Sequence, residues 1–225
     1  MKVMLLAAGK GTRMGPLGEQ LPKPLMTAGG VPLIVHQIRR LRQAGFTDLV
    51  INHAWLGEQI EAALGDGGAE GVSIQWSREA EPLETAGGIA HALPILGSEP
   101  FMVVNADVWT DFPFATLLDR LQRTDQVHLV LVRNPLHHPD GDFAVDSHDR
   151  LHLVQDIPGP AYTFSGIGVY RPALFQGLPA PRYPLYPLLK QAVACHTASA
   201  QVYTGVWEDI GTQERLARLD QRLRH

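Results

Sequence analysis

The sequence holds a single cysteine, Cys195, in 225 residues. No intramolecular disulfide can form, and such cysteine usage suits a reducing compartment. Long apolar runs are missing too: nothing approaches the roughly 20 residues of a membrane-spanning helix. There is no excess of positive charge. Lys and Arg number 19 against 23 Asp and Glu, a formal net charge of −4, so no global basic field exists to hold nucleic acid or anionic lipid. Internal repeats and low-complexity tracts are also lacking. What the chain does have is 45% hydrophobic residues, which excludes disorder as its main state, and 22 glycines with 17 prolines, which predict many tight turns. A chain this long buries roughly 70% of its unfolded surface, enough for one domain with a sizeable core.

The opening imitates a signal peptide, with Lys2 followed by VMLLAA. That apolar stretch is shorter than the roughly 7–15 residues of a signal core, and charged GKGTRM follows it. It reads as a buried strand, and a cytoplasmic location is expected. Val3 to Ala7 is a continuous apolar run, as in a central parallel strand covered on both faces. A long loop follows, Gly9 to Gly30, with six glycines and three prolines; loops of that length are usually functional or disordered. Pro32 suits a first helical turn. Ile34, Ile38 and Leu41 then recur at helical spacing up to Gly45.

The alternation continues with a strand over 48–52, a helix over 56–64, a strand over 72–76, a helix over 87–93 and a strand over 101–106. A helix over 114–123 and a strand over 127–132 come next. This pattern predicts an α/β fold, a mixed and mainly parallel Rossmann-like sheet with helices on both faces. After Asn134 the texture changes. Strands 143–145 and 151–155 form a hairpin, 164–170 is a further strand, 184–194 a helix, 202–203 an edge strand and 212–223 a terminal helix. One domain with a substrate-facing lobe inserted at about 134–205 is the economical organisation.

Chemistry concentrates first in Leu6-Ala7-Ala8-Gly9-Lys10-Gly11-Thr12-Arg13-Met14 and Leu21-Pro22-Lys23-Pro24-Leu25. A glycine-rich loop after a buried strand offers backbone N–H groups to phosphate without Cβ obstruction. Arg13 and Lys23 add the cations that a polyphosphate requires. The spacing is neither that of a Walker A loop nor that of a dinucleotide fingerprint, where a glycine would replace Met14.

These residues resemble the nucleotidyltransferases that activate sugar 1-phosphates, whose signature is an apolar strand, a G-x-G-T-R-M loop and P-K-P-L. The resemblance spans residues 5 to 212. Glu81 to Gly88 (EPLETAGG) is similar to the family's base-binding segment, and Val104-Asn105-Ala106-Asp107 to its strand ending in a metal-binding aspartate. Phe164-Ser165-Gly166 is similar to the sugar-site strand, and Trp207 to Thr212 to the W-x-D-x-G-T motif of the second metal ligand. Three segments resemble the N-acetylmuramate-1-phosphate uridylyltransferases of bacterial cell-wall recycling in particular: NHAWLG at 52–57, EAEPLETAGG at 79–88 and NADVWTD at 105–111. No hexapeptide-repeat acyltransferase domain is expected, since nothing in these 225 residues repeats. One departure stands out. The family's E-K-P segment, whose lysine binds the sugar phosphate, corresponds here to Gln155-Asp156-Ile157-Pro158, so that cation is missing.

The resemblance implies a nucleotide-diphospho-sugar transferase (GT-A-like) fold, Mg²⁺ as cofactor, and UTP with a sugar 1-phosphate as partners, in a monomer or small homo-oligomer. It implies nucleotide contacts from Gly9, Gly11, Thr12, Arg13, Lys23, Glu81, Gly87 and Asn105, with Arg13 and Lys23 catalytic. Sugar contacts are expected from Asp140, Gly141, Gln155, Asp156, Ser165 and Gly166. Asp107 and Asp209 are the metal ligands. Independently of the family, Asp107 ends an apolar strand, and open parallel sheets place ligands beyond the carboxyl ends of their strands. Mg²⁺ is typically held by one or two carboxylates plus substrate phosphates. Asp111 and Asp142 are assigned to turns or caps. His128, His137, His138, His148 and His152 crowd one region without a metal-ligand spacing and read as surface or turn residues. His53 is assigned to packing, and Cys195 to a buried place on a helix. Alternatives are another nucleotide or sugar 1-phosphate, and a non-catalytic nucleotide-binding protein that kept the fold.

Overall fold

The structure, a computed structural model, describes residues 1–224. The chain begins with β1 (Val3–Leu6) and continues into the glycine-rich loop. That loop is less irregular than its composition suggests. It contains a 3₁₀ turn (Thr12–Met14), α1 (Pro16–Gln20), a second 3₁₀ turn (Lys23–Leu25) and a ribbon of β2 (Thr27–Ala28) and β3 (Val31–Pro32). Then come α2 (Leu33–Gln43), β4 (Asp48–His53), α3 (Gly57–Leu64), β5 (Ser73–Arg78), α4 (Glu84–Leu96), β6 (Phe101–Asn105), β7 (Val108–Thr110) and β8 (Val127–Val132). The remainder comprises β9 (Phe143–Val145), β10 (Leu151–Leu153), β11 (Thr163–Tyr170), α5 (Tyr186–Ala194), β12 (Ala198–Tyr203), β13 (Trp207–Asp209) and α6 (Gln213–Leu223).

Seven strands form the main sheet in the order β12-β8-β11-β6-β1-β4-β5. Strand β1 pairs in parallel with β4 and β6, β4 with β5, and β8 with β12, while β11 runs antiparallel to both neighbours. The mixed, mainly parallel sheet is therefore as expected. The stretch 134–205 is not a lobe apart, because β11 and β12 belong to this same sheet; the β9–β10 ribbon stands outside it.

Alternation along β1 explains the two layers. Val3 and Leu5 point to a core shared with Ile34 and Ile38 of α2 and Ile60 of α3. Met4 points the other way, to Ala86 and Ile89 of α4 and Leu188 and Leu189 of α5. A third cluster joins Met14 and Met26 of the glycine-rich segment to Ile210 and Leu219, so α6 packs beneath the loop. Gly29 N–H donates to Asp220 Oδ1 at 2.8 Å, and the Gln213 side chain donates to Met14 O at 2.6 Å.

Three further expectations are corrected by the structure. The helix over 114–123 is a 3₁₀ turn, Phe114–Leu117, followed by irregular turns. Phe114 and Leu117 are buried whereas Leu118 is exposed, and a buried spacing of three matches the 3.0 residues per turn of a 3₁₀ helix. Cys195 is exposed, beyond the last residue of α5; the buried stripe of that helix, Leu188, Leu189, Ala192 and Val193, turns it outward. His128 is buried within the fully covered β8. Its Nδ1 pairs with Ser199 Oγ at 3.0 Å, and burial lowers its pKa.

Candidate active site

The site lies beyond the carboxyl ends of β1, β4 and β6, where parallel sheets present ligands. Register aligns Leu6 with Asn52 and with Asn105, so the chain leaves three neighbouring strands at one level. A cavity of about 410 Å³ opens there. The glycine loop forms one wall with Gly9, Gly11, Thr12, Arg13 and Lys23. Asn105, Ala106 and Asp107 form its floor, while Asn52, Glu79, Pro82, Glu84, Thr85 and Arg182 face the loop.

Gly11 adopts φ 63°, a left-handed value that favours glycine. The internal bonds of the loop begin at Met14, whose N–H donates to Gly11 O at 2.8 Å. Among the described residues, no protein acceptor takes the amides of residues 9 to 13, which leaves them for an anion. Lys23 sits in the turn between Pro22 and Pro24, is 8% exposed, and places Nζ 2.5 Å from Asp107 Oδ2. The two predicted carboxylates are brought together by backbone. Asp107 O accepts Ile210 N–H at 2.8 Å, and β13 pairs with β7 so that Asp209 faces Val108. Asp209 Oδ1 meets the Arg215 guanidinium and His137 Nε2, the latter at 3.0 Å. A Cβ on Gly211 would lie 3.1 Å from Asp209 Oδ2 and 3.2 Å from an Arg13 guanidinium nitrogen, so those two groups converge over a glycine.

The opposite wall rests on a buried relay. Ala7 N–H donates to Asn52 Oδ1 at 3.0 Å, and Asn52 Nδ2 donates to Glu79 Oε1 at 2.6 Å. Leu83 N–H donates to Glu79 Oε2 at 3.0 Å. Glu79 is the buried glutamate lining the cavity, whereas Glu81 is exposed and lies outside it. The NHAWLG segment continues from Asn52 into a demanding turn. Leu56 has φ 52°, and Gly57 is pressed against the His53 ring, where a Cβ would come within 1.8 Å of Nδ1. That turn aims the Trp55 indole N–H at Gly18 O, 3.2 Å away on α1. His53 is buried and pairs with Glu61 at 2.6 Å, which agrees with its assignment to packing.

Gly87 serves backbone packing and does not line the cavity. Its N–H donates to Tyr183 O at 3.0 Å, and an added Cβ would meet Pro181 O at 2.1 Å. None of Asp140, Gly141, Gln155, Asp156, Ser165 and Gly166 lines the cavity. Asp140 is exposed, as are Gln155 and Asp156, which follow β10 in a turn. Gly141 has φ 67° and packs tightly on Asn134. The Ser165 hydroxyl is used internally, donating to Val130 O at 2.7 Å and accepting Ile167 N–H at 3.2 Å. Gly166 has φ 77°, and a Cβ there would lie 2.6 Å from Asn105 Nδ2; it makes room for Asn105, which does line the cavity. Asp111 and Asp142 bridge distant segments and do not cap a local turn: they accept Val206 N–H at 2.7 Å and Phe164 N–H at 2.8 Å. Asn52, Glu79, Glu84 and Arg182 were not predicted as site residues. The first three stand within quoted motifs, but Arg182 lies in a loop without a local pattern.

Known proteins resemble this chain over nearly its whole length. The chain is 51% identical over 223 residues to the N-acetylmuramate alpha-1-phosphate uridylyltransferase of Neisseria meningitidis, covering 96% of this chain and 95% of that one. It is 32% identical to the mannose-1-phosphate guanylyltransferase of Mycobacterium tuberculosis over 96% of this chain, spanning 62% of that longer protein. Among solved structures, HddC from Yersinia pseudotuberculosis superposes with a TM-score of 0.83 at 19% identity, covering 98% of both chains. A Bacillus anthracis protein described as a glucose-1-phosphate thymidylyltransferase superposes with a TM-score of 0.85 at 20% identity, over 100% of this chain and 95% of that one. The nucleotidyl transferase family model matches residues 2–225. With phosphate loop, aspartates and sheet in one arrangement over that whole length, the chain belongs to the nucleotidyl transferase family.

Proposed function

We propose that the protein joins UTP and N-acetyl-α-muramate 1-phosphate to give UDP-N-acetylmuramate and pyrophosphate. The observation that carries the chemistry is the convergence of a glycine loop with free amides, Lys23 and Asp107 on one cavity. The identity to the Neisseria enzyme supports the substrate pair.

A phosphate oxygen of the sugar 1-phosphate attacks the α-phosphorus of UTP in line. The bond from that phosphorus to the bridging oxygen breaks, and pyrophosphate leaves with the electron pair. The nucleophile is already charged, so no covalent enzyme intermediate is needed, and catalysis rests on positioning and charge neutralisation. The amides of Gly11 and Thr12 hold the triphosphate. Arg13 neutralises the departing β- and γ-phosphates. Lys23, drawn from Asp107, bridges the α-phosphate and the incoming sugar phosphate. Asn52 and Glu79 present fixed polar groups to the uracil edge.

Asp107 and Asp209 fit Mg²⁺ by their donor chemistry: two carboxylates on hydrogen-bonded neighbouring segments, each already facing a cation, Lys23 and Arg215. Hard oxygen donors in so small a number suit Mg²⁺ completed by substrate phosphates. When bound, the ion would supply positive charge to the phosphate oxygens. A cytoplasmic location goes with this reading, since the exposed thiol of Cys195 suits a reducing compartment; among the described residues no helix is long and apolar enough to cross a membrane.

The test is product identification. UTP and N-acetylmuramate 1-phosphate are incubated with the protein and Mg²⁺, with or without excess chelator, and followed by mass spectrometry. UDP-N-acetylmuramate forming only in the metal-containing reaction supports the reading. No uridine-diphosphate sugar in either reaction overturns it.

A further inference from the structure

The cavity holds one cation that the reaction above does not use. Arg182 reaches in from the loop between β11 and α5, and its outer guanidinium nitrogen lies 3.0 Å from Glu84 Oε1 on the opposing lip. The pairing spans two chain segments that backbone bonds already fasten together. Tyr183 N–H donates to Leu83 O, and Gly87 N–H donates to Tyr183 O, both at 3.0 Å. Arg182 is therefore anchored at its main chain while its side chain remains 67% exposed. Glu84 is held under strain. It has φ 64° at the first position of α4, in the left-handed region that costs a side-chain-bearing residue.

The charges at the site follow a pattern. Arg13 and Lys23 stand on the glycine loop, where the phosphates go. Three carboxylates also line the cavity, Glu79, Glu84 and Asp107, so an acidic substituent on the sugar would meet repulsion unless a cation received it. Arg182 is the cavity cation on the wall away from the phosphate loop, and it is already paired with a carboxylate. A guanidinium presents several donors in a planar fork that suits a carboxylate. One contact to Glu84 is present, so other donors remain for a second acceptor.

We infer that Arg182 is the specificity residue that receives the carboxylate of an acidic sugar 1-phosphate, and that Glu84 occupies that place until the substrate arrives. This rests on the substrate proposed above, whose lactyl ether supplies such a carboxylate. Exchange at this site trades one carboxylate for another on the same guanidinium, so the cavity need not be rebuilt.

The test compares wild type, R182Q and R182K on N-acetylmuramate 1-phosphate and N-acetylglucosamine 1-phosphate, which lacks the lactyl group. UTP and Mg²⁺ are saturating; inhibition constants serve where turnover is slow. Loss of a hydrogen-bonded charge partner predicts that R182Q lowers kcat/KM on the acidic sugar roughly 10- to 100-fold, with KM taking most of the change. The neutral sugar changes less than about threefold, and R182K recovers part of the loss. Equal losses on both sugars would overturn the assignment and place Arg182 on a group they share, such as the phosphate. No loss on either would overturn it too. A wild type active on neutral sugar phosphates but not on the acidic one would refute the underlying substrate reading, and this inference with it. Unchanged melting temperatures separate these outcomes from misfolding.

Discussion

Replacing Gly88 by alanine tests whether the buried relay shapes the nucleotide wall. Gly88 lies inside α4, where alanine gains about 1 kcal/mol of helix propensity. If propensity alone mattered, the variant would be more stable. The added Cβ, however, would lie 2.7 Å from Glu79 Oε1 and 2.9 Å from Asn52 Nδ2, closer than real Cβ contacts allow. Neither neighbour is a loose end. Asn52 and Glu79 are 3% and 6% exposed, bonded to each other at 2.6 Å and to the amides of Ala7 and Leu83 at 3.0 Å. Displacing the pair breaks at least one buried polar bond, which costs about 1–3 kcal/mol, and more for a charged acceptor. The net expectation is a loss of about 1–2 kcal/mol. At roughly 2–4 °C per kcal/mol for a chain of this size, the melting temperature falls by about 2–8 °C. Because both side chains line the cavity, KM for UTP rises while KM for the sugar phosphate changes little. Thermal melts with UTP titrations check both effects. A variant that melts at or above wild type with an unchanged KM for UTP would show that the Asn52–Glu79 relay does not shape this wall.

Other consequences can be measured with simple variants. K23A leaves Asp107 without its partner and the transferring phosphate without a cation, so kcat/KM falls about 10²–10³-fold; steady-state pyrophosphate release retaining over half the activity would remove Lys23 from the scheme. Glu61 is held down to about pH 2, first by the paired Arg78 guanidinium, against the opposing cost of burial, with a further hydrogen bond from His53. Because its pKa is depressed on folding, its contribution is present above the unfolded value of 4.5 and lost as pH falls towards 2. Melting temperature should therefore fall less steeply over that window in E61Q than in wild type, and identical slopes would contradict the assignment. Cys195 is exposed, so one thiol per chain reacts in the native protein with a disulfide reagent; a thiol that reacts only after denaturation would return it to the interior.

Much of this architecture was legible from apolar runs. Val3 to Leu6, Val127 to Val132 and Phe101 to Val104 are covered on both faces, and continuous hydrophobicity is the mark of such strands. Polar residues inside those runs misled, as His128 shows, because a partner on β12 satisfies its ring where the sequence suggests solvent. The 114–123 segment failed for a different reason. Its leucines fit a helical stripe, but Pro113 precedes it and Leu118 N–H bonds to Ala115 O, three residues back, so the turn closes more tightly than an α-helix.

At the site, the glycine loop, Lys23 and Asp107 line the cavity where their local motifs suggest, and Asp209 stands beside it on the strand paired with β7. Glycines were harder to read. Gly87, Gly88, Gly141 and Gly166 suggest ligand contacts in sequence, whereas each makes room for a neighbouring protein group. Glu79 displaced Glu81 because burial depends on which side of the turn after β5 reaches Asn52. Arg182 reaches the cavity only through backbone bonds to Leu83 and Gly87, about a hundred residues away in sequence, which no local pattern encodes.

The protein is proposed to transfer a uridylyl group to an acidic amino sugar phosphate. The most direct test is pyrophosphate release with Mg²⁺ from UTP, dTTP, GTP and CTP, each paired with the 1-phosphates of N-acetylmuramate, N-acetylglucosamine, glucose and mannose. UTP with N-acetylmuramate 1-phosphate is expected to give the highest kcat/KM of the grid. A different best pair, or no pyrophosphate from any pair, would contradict it.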